Sequence, residues 1–107
     1  MNLKVVIENN TYSINIPEDV TGEGHSFFEK MDADMNQGWQ MDRQWINAPT
    51  IKQRCQIAAS RIADAINTEN ETLACLMAGY ILNTMPSVTE VQVDTNGEMS
   101  ETEFIEG

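Results

Sequence analysis

Apolar and polar positions alternate at both ends of the chain and recur with a helical period between them. Leu3, Val5 and Ile7 alternate with Lys4, Val6 and Glu8. After Asn9-Asn10, the residues Tyr12, Ile14 and Ile16 alternate with Ser13 and Asn15. A period of two marks a strand with one buried face. Asn tolerates the positive φ that a two-residue hairpin turn requires. With Asn9-Asn10 as that turn, residues 3–16 form a β-hairpin in which Ile7 faces Tyr12, Val5 faces Ile14 and Leu3 faces Ile16. The apolar sets then share one face. The other end mirrors this one. Val91 and Val93 alternate with Glu90, Gln92 and Asp94, Asn96-Gly97 is a strong two-residue turn signal, and Met99 to Ile105 is expected to return as the last strand.

Three helices are expected in between. Pro17 to His25 reads as a loop. Ser26 followed by Glu29, Thr50 by Gln53 and Thr68 by Glu71 each spell a capping box in front of a periodic segment. The first helix should run from Ser26 to about Ile46, stopped by Asn47-Ala48-Pro49. The second should end near Asn67 and the third near Met85, before Pro86. The whole is read as one α+β domain spanning 1–107. Its elements are an N-terminal β-hairpin, three helices and a C-terminal β-hairpin. The expected architecture is a four-stranded, mainly antiparallel sheet with the helices on one face.

The helices differ in what they bury. The second is amphipathic, with Ile51, Cys55, Ala58, Ala59, Ile62, Ala65 and Ile66 on one side and Arg54, Arg61 and Asp64 toward the other. The third, from Leu73 to Leu82, has no polar face, and a helix apolar all round is buried all round. Either it is the central helix or one side meets a second copy of the chain. Leu76, Gly79, Tyr80 and Leu82 are the candidate self-association residues, and a twofold homodimer is the simplest outcome. In the first helix Phe27, Phe28, Met31, Met35, Gly38, Trp39, Trp45 and Ile46 fall within an arc of about 120°. Asp42 lies near the middle of that arc.

The chain has 107 residues, enough for one core without staples, with 41% hydrophobic and 21% charged residues. No run approaches the length of a membrane helix, and Met1-Asn2-Leu3-Lys4 leads straight into a strand pattern rather than a signal peptide. A cytoplasmic location is therefore expected. The formal net charge of −11 is unevenly spread. Lys4, Lys30, Arg43, Lys52, Arg54 and Arg61 are the six bases. From Ile62 to Gly107 there is no Lys or Arg, against nine acids. Such a surface repels nucleic acid and anionic lipid. A partner for it would be a protein with a basic surface, or a cation.

Candidate chemistry is sparse. Asp42, if buried between Trp39 and Trp45, would be either paired or neutralised, since a lone buried charge costs several kcal/mol. Two readings compete with a functional role. The helix breaks at Gly38 and carries Asp42 to the surface, or Asp42 pairs with Arg54 or Arg61 as a structural lock. His25, the only histidine, stands beside Ser26 in a Gly-rich segment, a weak sign of nucleophilic catalysis. Met31 and Met35 read as core, whereas Met41 projects off the apolar arc and hints at an exposed contact. Asp32-Ala33-Asp34-Met35-Asn36-Gln37-Gly38 fails as a calcium loop, because its sixth and twelfth positions hold Gln37 and Arg43. Asp94, Asn96 and Glu101 are oxygen-rich but are explained by a hairpin. Gly22-Glu23-Gly24 lacks the Lys of a phosphate loop. Cys55 and Cys75 read as buried thiols, and neither a metal nor a cofactor is expected.

The leading expectation is a small acidic interaction or accessory protein that self-associates and is not an enzyme. The alternative is a small enzyme or small-molecule binder built on Asp42 with Trp39, Trp45 and His25.

Overall fold

The computed structural model describes residues 1–17 and 24–107. Along them run β1 (Asn2–Ile7), β2 (Asn10–Asn15), α1 (His25–Asn36), β3 (Trp39–Met41), β4 (Gln44–Ile46), α2 (Ile51–Asn67), α3 (Glu71–Thr84), β5 (Val88–Val93), a 3-10 turn (Met99–Glu101) and β6 (Glu103–Glu106). Most of the loop expected over 17–25, and all but the last glycine of Gly22-Glu23-Gly24, lie outside the described residues.

The two ends of the chain build one four-stranded sheet in the order β2-β1-β5-β6. β1 with β2 and β5 with β6 are antiparallel, while β1 and β5 run parallel at the centre. A parallel pair needs a long crossover, and the helical middle of the chain supplies it. Leu3, Val5, Val88, Val91 and Val93 are buried, and Lys4, Thr89 and Gln92 are exposed. One face of the sheet therefore joins the core, as the period of two requires.

The N-terminal hairpin forms one turn-position earlier than its asparagines suggest. Leu3 pairs with Ile14, Val5 with Tyr12 and Ile7 with Asn10. Glu8-Asn9 is thus the turn, and Glu8 takes the positive φ of 57°. Moving the turn by one residue moves the register by two, which keeps every apolar side chain on its face. Alternation alone could not choose between the two registers.

Local capping signals decide one helix of three. At α2 the capping box is complete: Gln53 N donates to Thr50 Oγ1 at 3.1 Å, and Thr50 N to Gln53 Oε1 at 2.8 Å. At α1 the N-cap is Gly24, without a side-chain cap, rather than Ser26. At α3 the N-cap is Asn70, whose Oδ1 accepts from Leu73 N at 3.1 Å. Thr68 instead closes α2, donating its hydroxyl to Asp64 O at 2.9 Å.

The long first helix does not form. α1 stops at Asn36, and Gly38 follows with φ +104°, the left-handed conformation that ends helices. The Trp45 ring lies where a Cβ on Gly38 would be. Beyond the break β3 and β4 pair as a small hairpin with Asp42-Arg43 at its tip. The C-terminal connection also differs from a two-residue turn. The Asp94 carboxylate accepts from Asn96 N and Glu98 N, both at 3.0 Å, and the chain makes a 3-10 turn before β6.

α3 is the central helix. Tyr80 is 1% exposed and Leu82 9%; Met77, Ala78 and Ile81 are fully buried, and Gly79 is buried too. Tyr80 meets Phe28 edge to face at 5.9 Å. The missing polar face is thus satisfied inside the chain, by α1, α2 and the sheet. Of the four candidate self-association residues only Leu76 is partly open. On α2, Ile51 is 62% exposed, because it sits in the first turn beyond the packed stripe.

Candidate functional site

The residues singled out around Asp42 are separated by the hairpin. Trp39 pairs with Ile46 and Gln40 with Trp45, so Trp39 and Trp45 lie on opposite faces of the β3–β4 ribbon. Trp45 is 56% exposed and donates Nε1–H to Asn47 Oδ1 at 3.1 Å. Trp39 is half-buried against the core. Met41 is buried at 3% exposure, contrary to the exposed contact that a continuous helix implies. Its place on a strand, opposite Gln44, turns it inward. His25 is far along the chain on the exposed start of α1, with Nε2 3.0 Å from Glu29 Oε1. Trp39 and Trp45 therefore do not flank Asp42 on one face, and the contact that His25 makes is with Glu29.

Asp42 keeps a distinctive place of its own. It holds φ 56° at the hairpin tip. Ser100 Oγ donates to its Oδ2 at 2.6 Å, while its Oδ1 is buried with no hydrogen-bond partner among the described residues. Ser100 is fixed in turn by α2. The buried Gln56 donates its Nε2–H groups to Ser100 O and Thr102 O, both at 3.1 Å. Asp42 lines a cleft of about 390 Å³ with Arg43, Gln44, Asn96, Gly97 and Glu98. Neither expected partner, Arg54 nor Arg61, reaches it.

Arg54 instead ties the helices together. It donates to Pro49 O at 3.0 Å, to Asp32 O at 3.2 Å and Oδ1 at 3.1 Å, and to Asn36 Oδ1. Tyr80 donates its hydroxyl to the same Asp32 oxygen. Asp32 and Asn36 are thus engaged as structural acceptors. Burial pushes the Cys55 thiol up to about 12, with the Asp32 charge adding to it. Burial likewise raises the Tyr80 phenol, helped by its bond to Asp32 and that carboxylate's charge. Both groups stay protonated and inert at neutral pH. Among the described residues, no three His, Cys, Asp or Glu side chains converge to hold a metal ion, and no helix is long and apolar enough to cross a membrane.

A second concavity, of about 690 Å³, lies elsewhere. It runs between β2 and the corner joining α2 to α3. Tyr12, Ser13, Ile14 and Asn15 form one wall; Ala65, Ile66, Ala74 and Cys75 form the other. Among the described residues, its only charged lining residues are Glu69 and Glu71. Cys75 Sγ lies 3.7 Å from Asn15 O across the end of the groove. The corner is a Schellman-type ending. Asn70 N bonds Ala65 O at 2.7 Å and Glu69 N bonds Ile66 O at 3.2 Å, with Glu69 in the left-handed region at φ 57°. Nothing local in the sequence marks this groove, because its two walls lie some sixty residues apart. Comparison with known protein families, with curated proteins and with solved structures finds no match to this chain.

Proposed function

We propose that the chain is a small, acidic, non-enzymatic interaction protein of the cytoplasm, and that it receives a basic segment of a partner protein in the groove beside β2. One observation carries this reading. The open groove has an apolar floor and, among the described residues, carries for charge only the carboxylates Glu69 and Glu71. They belong to the stretch from residue 62 onward that contains nine acids and no Lys or Arg. A cationic side chain entering there meets attraction from both the rim and the surrounding field. Self-association is a separate part of this reading: with Tyr80 and Leu82 buried in the chain's own core, Leu76 is the candidate residue left partly open for it.

The test is fluorescence anisotropy with a labelled hexalysine peptide at low and high salt. Binding should weaken with salt and disappear in the double variant Glu69→Lys/Glu71→Lys. Equal binding to that variant would contradict the groove as the receiving site.

One observation favours a second reading, a binder of small polar ligands at the hairpin tip. Asp42 Oδ1 is buried and unpartnered on the wall of its own cleft, where a donor would complete it. Thermal shifts with small ammonium compounds and metal cations, lost in Asp42→Asn, would support it.

A further inference from the structure

We propose that the partner segment binds as a fifth strand, added antiparallel or parallel to the outer edge of β2. This rests on the interaction reading above and names its mode and the pattern of the segment.

The alternation of the hairpin shows which groups are on offer. Met1 N donates to Ile16 O at 3.1 Å, and Ile16 N donates back to Met1 O. In an antiparallel ladder such reciprocal pairs recur at every second residue. Ile14, Tyr12 and Asn10, opposite Leu3, Val5 and Ile7, therefore spend their backbone groups on β1. Thr11, Ser13 and Asn15 turn theirs outward. The Cys75 thiol, resting on Asn15 O from the far wall, marks that direction. Among the described residues no strand pairs with this edge.

The two edges of the sheet are treated differently. β6 carries Glu103 and Glu106 on a four-residue strand, a charged edge that resists pairing with other chains. β2 is longer, six residues, and wholly uncharged. It is also the edge that borders the groove. A strand laid on it takes backbone bonds from the edge and directs alternate side chains over Ile66 and Ala74, toward Glu69 and Glu71. Edge pairing gives affinity and the pockets give specificity, the division of labour seen in strand addition. The occupant is thus an extended segment whose groove-facing positions are apolar in the middle and basic at the flanks.

The probe is a capped, labelled heptapeptide, Lys-Thr-Val-Thr-Val-Thr-Lys, which puts Lys, Val, Val and Lys on one face. Two N-methylated forms block its amides in alternate sets. One form should lose affinity about tenfold and the other little, because only one set faces the edge. Ser13→Pro removes an outward N–H and leaves the ladder to β1 intact; with an unchanged melt it should also bind about tenfold more weakly. The Thr11 and Ser13 amides should exchange freely in the unbound protein and become protected with peptide. Equal affinity of both methylated forms, or Thr11 and Ser13 amides already protected without peptide, would overturn strand addition. If charge reversal at Glu69 and Glu71 still abolishes binding in that case, the interaction reading stands alone. No binding of the parent peptide, nor of hexalysine, overturns both.

Discussion

At the scale of single residues, one positive-φ side chain, one glycine and one buried thiol carry the clearest consequences. Glu69 occupies the helix-ending position that glycine fills best. Glu69→Gly should therefore stabilise the fold by about 0.5–1 kcal/mol in denaturant melts, while weakening capture of a lysine peptide. A carboxylate held there at a cost in stability is what a binding role would explain. Gly38 is the converse case. Gly38→Ala places a Cβ at positive φ and into the Trp45 ring, so a loss of about 1–3 kcal/mol and a shifted tryptophan emission are expected. Cys55 adds a pH dependence whose sign is fixed. Its thiol is raised from 9.0 to about 12 in the fold. Below 9 both states keep the proton and stability is intact. As pH rises through 9 toward 12 the unfolded chain loses its proton first, so stability falls, by at most about 1.4 kcal/mol per pH unit from this group. Cys55→Ala should flatten the alkaline limb of urea midpoints measured against pH.

At the scale of elements, signals confined to a few neighbours were legible and signals needing distant partners were not. Thr50 and Gln53 contact each other, so the start of α2 is written in four residues. Ser26 and Glu29 spell the same box, yet α1 starts at His25, its apolar Phe28, Met31 and Met35 held by the core. A cap contributes only about 1 kcal/mol, which packing overrides. β3 and β4 have three residues each, too few to show a period, so the stretch after Gly38 continued the helical wheel on paper. That continuation is what placed Asp42 among tryptophans. Gln56 was equally silent: a polar residue on a helix gives no notice that it will bind Ser100 O and Thr102 O forty-four and forty-six residues away. Gln56→Met should leave two carbonyls without their donor and cost about 1–3 kcal/mol, with the 3-10 turn losing protection from amide exchange.

At the scale of the whole molecule, the alternation at both ends and the apolar third helix were enough for the α+β architecture, but not for its parallel seam. Alternating strands do not name their neighbours. The apolar helix left two outcomes, central or shared, and the burial of Tyr80 and Leu82 within the chain fits the central one. Tyr80→Ala should therefore lower stability by about 3–5 kcal/mol without changing the mass measured by light scattering. The groove was out of reach of sequence reasoning altogether, since β2 and the α2–α3 corner meet only in the fold. Its acidity was legible, however, in the absence of any base after Arg61.

The most direct measurement is a heteronuclear NMR titration of the ¹⁵N-labelled chain with the lysine-flanked heptapeptide. Shifts should gather on residues 11–15 and 65–75, with the β5–β6 loop unmoved despite its own acids. Shifts spread evenly over all acidic surfaces, or gathered at Asp42 and Glu98 instead, would contradict the groove beside β2 as the place where this protein meets its partner.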